Sequence, residues 1–327
     1  MQIEEFLHPR ILIVSGKGGV GKTTVSAALA LVAARHGRRV CIAEVDRKGT
    51  LPKLFGGGEL GYEPRELSPG VWGMNIVPDE ALAEYLDVQY HMKRVARIFS
   101  STHFVDFITA TAPGLKDILV LGKVWYLEQG RTGPHFDTII VDAPAAGHML
   151  TFLSAPTGLS DAVKLGPVQR QAEWLVQMLQ DPHRTRVHLV TIAEEMPISE
   201  TIETSRALTE RVKIETGCVF ANAIYPQLFS RAERERFDSL VEKGDFTELR
   251  GEAAHVGLRL ETEDVEALIN YATFREARRD IQVKHLRQLK RGLDETVAEL
   301  PFLFAAGLDL PLLEEMADVI EERVEKL

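Results

Sequence analysis

Apolar positions along the chain fall into two kinds of run. Short, nearly continuous runs alternate with longer stretches in which apolar residues recur every three or four positions. The short runs are RILIVSG (10–16), RRVCIAEVD (38–46), FDTIIVDAP (136–144), VHLVTIA (187–193), GCVFANAIY (217–225) and VAELPFL (297–303). Near-continuous apolar runs of this length predict strands covered on both faces, as in a parallel sheet. Between the first two, TTVSAALALVAARHG (23–37) reads as a helix with Gly37 where a C-terminal cap belongs. Strands separated by helices predict an α/β fold, with a mostly parallel central sheet flanked by helices.

Two stretches break this alternation. Residues 56–135 open loop-like, with GGGELGYEPRELSPG, and then become helical. Within 84–99, Tyr85, Val88, Met92, Val95 and Phe99 follow one another at spacings of three and four, which gives one apolar face. LKDILVLGKVWYLEQG (115–130) continues the pattern. In the second stretch, 157–182, Val168, Leu175, Met178 and Leu179 share a face. Both stretches are expected to form a helical subdomain inserted into one domain spanning 1–327.

Composition narrows the setting. The 327 residues are 45% hydrophobic, enough for a large core. A net charge of −10 argues against a nucleic-acid-coating protein. No apolar run is long enough to span a bilayer, and the first ten residues lack the pattern of a signal peptide, so a cytoplasmic location is expected. Cys41 and Cys218, the two cysteines, sit in strand-like runs and read as small core residues. The ten histidines show no metal-ligand spacing.

The chemistry concentrates in VSGKGGVGKTT (14–24). Gly16, four residues, then Gly21-Lys22-Thr23 form a phosphate-binding loop between a predicted strand and a predicted helix. Glycines let successive backbone N–H groups turn toward phosphate oxygens, and the helix N-terminus adds positive potential. Lys22 suits the β- and γ-phosphates of ATP, and Thr23 suits Mg²⁺. Asp142, closing the third strand, suits the metal through water. Gly147 follows closely enough to sense a γ-phosphate through its N–H. Asp46 offers a further carboxylate at the end of the second strand.

The loop Gly16-Lys17-Gly18-Gly19-Val20-Gly21-Lys22-Thr23-Thr24 resembles the deviant phosphate loop of the dimeric P-loop NTPases that include MinD, ParA, the nitrogenase iron protein and the ArsA family. FDTIIVDAPAAGHMLTFLSAP, IAEEMPISETIETSRAL, VFANAIYP and ELPFLFAAGLDLPLLEEMA resemble segments of ArsA-type ATPases specifically, that is, arsenite-pump and tail-anchored-protein-targeting ATPases. These segments lie between residue 11 and about residue 320. The resemblance implies an ATP-hydrolysing dimeric switch that handles a protein client or membrane partner. It implies that Lys17 reaches the partner subunit's nucleotide, that Asp46 positions the attacking water, and that Asn222, Pro301 and Phe302 hold the base.

Departures from the family pattern shape further expectations. Asp46-Arg47-Lys48-Gly49-Thr50 stands where the family carries Asp-Pro-Ala-His-Ser, which puts the hydrolysis rate in question. There is no Cys-x-x-Cys pair, so no zinc is predicted, and two strand-bound cysteines do not make an arsenite site. The same cysteines do not suit a shared iron–sulfur cluster. The C-terminal LLEEMADVIEERVEKL is acidic and unlike a basic membrane anchor. The basic stretch 274–292 reads as a solvated helix face. The partner is expected to be a second copy or a related subunit. The alternatives are a low-turnover regulatory subunit paired with a relative, or the energiser of an anion efflux system.

Overall fold

The structure, a computed structural model, describes residues 2–45, 49–90, 114–305 and 307–326. Its strands are β1 (Ile11–Gly16), β2 (Val40–Val45), β3 (Arg65–Ser68), β4 (Val71–Ile76), β5 (Thr138–Ala145), β6 (Thr185–Ile192), β7 (Thr216–Ile224) and β8 (Val297–Pro301). They form one sheet in the order β3-β4-β2-β5-β1-β6-β7-β8. Every neighbouring pair is parallel except β3 with β4.

The six expected strands are all present. The pair β3–β4 is an addition, and it lies inside the stretch expected to open as a loop. β4 extends the sheet beyond β2, so residues 65–76 belong to the sheet edge and not to a helical insertion.

Side chains on successive residues of a strand point to opposite faces. Ile11 and Ile13 therefore join one core with Ile139 and Val141, while Leu12 and Val14 join another with Ile140. α1 (Ile3–Phe6), α2 (Lys22–Arg35) and α3 (Leu51–Leu54) cover the second face. The first face carries α4 (Pro78–Tyr90), α5 (Leu115–Glu128), α6 (Ala146–Ala162), α7 (Pro167–Gln180) and α8 (Glu195–Ala207). α9 (Arg231–Lys243) and α10 (Thr247–His255) bury no residue. α11 (Thr262–Gly292) returns to the sheet through Leu286 and Leu289, and α12 (Leu310–Glu325) packs beside α2. α2 ends as expected: Gly37 takes φ 75° and its N–H reaches the Ala34 carbonyl.

The expected apolar stripes face this core. Tyr85 and Val88 pack on it half-buried, whereas Met92, Val95 and Phe99 lie outside the described residues. Leu175, Met178 and Leu179 are buried, but Val168 is exposed and does not share their packing.

Candidate functional site

The loop between β1 and α2 sits at the C-terminal end of the sheet, where open parallel sheets place ligands. Two of its glycines are required by space. A Cβ on Gly16 would meet the Val190 carbonyl oxygen at 2.0 Å, and one on Gly21, at φ 94°, would meet Asn222 Nδ2 at 2.3 Å. Gly18 and Gly19 are exposed with nothing near their missing side chains, which leaves their backbone open to a ligand.

Lys22 is buried, and its Nζ donates to the Lys17 carbonyl at 3.0 Å, folded back over the loop. Thr23 Oγ1 donates to Asp142 Oδ2 at 2.7 Å, so the predicted pair of metal-holding residues meets directly. Ser15 Oγ donates to the Pro144 carbonyl at 2.7 Å, tying the loop to the stretch that carries Gly147. Gly147 itself is exposed. A cleft of about 670 Å³ opens here, lined by Gly18, Gly19, Lys22, Thr23, Thr24, Thr50, Pro144 and His148. Asp117 of α5 lines it too. Sequence reasoning missed Asp117, because nothing local marks a helical aspartate as a neighbour of the phosphate loop.

Lys17 points elsewhere. Its Nζ pairs with Glu200 Oε2 of α8 at 3.2 Å, each side chain about one-third exposed. Asp46 lies outside the described residues.

Toward β7 and β8 the site turns aromatic. Asn222 Nδ2 donates to the Val20 carbonyl at 2.9 Å, so this residue braces the phosphate loop. Just beyond it, Ala223 takes φ 56°, a strained value for a residue with a Cβ. Buried Gln282 holds the kink from both sides: its Oε1 accepts from the Tyr225 N–H at 2.8 Å and its Nε2 donates to the Ala223 carbonyl at 2.9 Å. Phe302, following Pro301, stacks on Tyr225 at 5.0 Å with an exposed outer edge. Arg275 lies 5.0 Å from the Tyr225 ring and 4.5 Å from Phe304.

A metal's fit can be judged from the oxygen donors. Glu44 and Asp142 are opposite each other in the β2–β5 register, both fully buried. Among the described residues both carboxylate oxygens of Glu44 lack a hydrogen-bond partner. Hard carboxylate and hydroxyl oxygens beside a phosphate loop suit Mg²⁺. Among the described residues no helix is long and apolar enough to cross a membrane.

Comparison with known proteins agrees with this geometry. A family model described as anion-transporting ATPase matches residues 9–173. A putative ATPase of Mycobacterium bovis is 31% identical over 328 residues, covering 96% of this chain and 93% of the relative. ATPase BagA of Mycobacterium tuberculosis matches with the same identity and coverage. A putative arsenical pump-driving ATPase of Halobacterium salinarum is 27% identical over 237 residues, covering 67% of this chain and 36% of that longer protein. With its phosphate loop, its Thr23–Asp142 pair and these relatives, the chain belongs to the anion-transporting, ArsA-type ATPase family and is an ATP-hydrolysing enzyme.

Proposed function

We propose that the chain is a nucleotide-gated dimeric switch, in which ATP binding joins two subunits and hydrolysis releases them. The observation that carries this reading is the division of labour between two lysines of one loop. Lys22 is folded over its own loop, whereas Lys17 leaves the loop for a half-buried ion pair with Glu200. A cation so weakly held is available to a facing subunit, where it would offset charge on the transferred phosphoryl group as an arginine finger does.

In this reading the backbone N–H groups of residues 18–22 and Lys22 hold the triphosphate of ATP. Thr23 and Asp142 would hold Mg²⁺, which would neutralise phosphate charge. Asp46 orients the attacking water, and Gly147 reports the γ-phosphate to α6. Tyr225, Pro301 and Phe302 cover the base, with Asn222 at the junction of base and phosphates. The switch acts on a client: an apolar protein segment or a membrane-protein partner handled by α4, α5 and α7. Asp117 supports that coupling, because it puts α5 in the wall of the phosphate cleft.

The test separates the lysines. Lys22→Ala is expected to lose ATP binding in calorimetry. Lys17→Ala is expected to bind ATP as a monomer while losing turnover, and Asp46→Asn to associate but hydrolyse slowly. Normal turnover by Lys17→Ala would refute the dimeric mechanism.

A further inference from the structure

Glu44 occupies an unusual place for a carboxylate. It is fully buried, and among the described residues neither oxygen has a hydrogen-bond partner. Burying such a group without a partner is costly, and native structures rarely keep one without a use. Nothing in the packing of β2 asks for it: Ile42, two residues earlier on the same face, is an ordinary core residue.

Its neighbours locate the use. Parallel-strand partners point their side chains to the same side of the sheet, about 4.8 Å apart. Glu44 is the partner of Asp142 on one side and of Asn75 on the other. Asp142 in turn accepts from Thr23 at 2.7 Å. Ser26, on the next turn of α2, is also fully buried, and its hydroxyl has no partner among the described residues. Glu44 thus extends a row of oxygen donors that runs under the first turns of α2.

We propose that Glu44 is a second carboxylate of the metal site, holding the water shell of Mg²⁺ together with Asp142. It acts through water and through Asp142, so it is a positioning residue. This rests on the reading that Thr23 and Asp142 hold the metal. The water shell of Mg²⁺ bound with ATP would supply partners for the two Glu44 oxygens. Metal affinity depends on such outer-shell partners by about 10–100-fold.

The test uses the full chain and isosteric Glu44→Gln. ATP affinity is measured by calorimetry with Mg²⁺ and with a chelator, and the ratio of the two reports metal coupling. Glu44→Gln should cut that ratio by about tenfold or more while leaving the chelator value unchanged. The metal-free variant should also melt at a higher temperature than the wild type, since an unpartnered buried carboxylate has gone. A structural role predicts the opposite sign in melting and no change in coupling. An unchanged ratio would overturn the proposal. A variant that no longer folds would overturn it equally, because Glu44 would then serve the fold. Asp142→Asn is the control: if it too leaves the ratio unchanged, the underlying assignment of the metal site fails.

Discussion

Replacing Glu200 with Gln should tighten the proposed ATP-dependent dimer. In the single chain, Lys17 Nζ lies 3.2 Å from Glu200 Oε2, with the side chains 35% and 33% exposed. In the proposed dimer Lys17 leaves this partner for the facing subunit. An ion pair this open to water is screened and contributes about 0.2–1 kcal/mol. Two such pairs break in a two-fold dimer, so the restraint totals about 0.4–2 kcal/mol. Glu200→Gln should therefore lower the dimer dissociation constant by roughly 2- to 30-fold. Sedimentation velocity with Mg²⁺ and a non-hydrolysable ATP analogue measures it. The gap between variant and wild type should shrink as salt rises, because exposed charges are screened. An unchanged or weaker dimer in Glu200→Gln would refute the reasoning. So would a tightening that persists when Lys17→Ala is added, since no lysine is then left to release.

Other parts of the molecule carry four further expectations. Burial holds the His188 imidazole down at about 4, and its Nδ1 accepts from the Cys218 N–H at 3.1 Å. The unfolded chain takes up this proton near pH 6.5, the folded one only near 4. Stability is thus complete above pH 6.5 and drains as the pH falls toward 4, by up to about 3 kcal/mol; urea unfolding should show this slope in the wild type and lose it in His188→Gln, and equal slopes would contradict it. Gly16→Ala, whose Cβ would sit 2.0 Å from a backbone oxygen, should cost about 1–3 kcal/mol and abolish ATP binding. Gly18→Ala meets nothing within 4 Å and should leave the urea midpoint unchanged. Hydrogen exchange should change on adding Mg²⁺ and ATP in residues 80–90, 115–128 and 160–180; identical protection in both states would mean a static cap.

Legibility from sequence followed how local each feature is. The phosphate loop lies in eleven consecutive residues; the structure places it between β1 and α2, with Gly16 against the Val190 carbonyl and Thr23 bonded to Asp142. Strands β1, β2 and β5 were readable because both faces are buried, so their apolar runs are continuous. β3 and β4 were not, because β3 is largely exposed and Gly73 and Asn75 interrupt the apolar run of β4. Glu44 is a lone polar residue in the otherwise apolar run of β2. Its meaning depends on the register between β2 and β5, which brings it beside Asp142 from far along the chain. The same holds for Lys17 with Glu200 and for Asp117 at the cleft: each contact is made by tertiary packing and has no local signal.

The central claim is that nucleotide state sets subunit association. It is tested most directly by light-scattering mass measurement on the 36.5 kDa chain, alone and mixed with a related subunit, in Mg²⁺ with non-hydrolysable ATP analogue and then with ADP. The mass should double with the triphosphate and return to that of single chains with ADP. The same mass in both nucleotides, in both samples, would contradict the account.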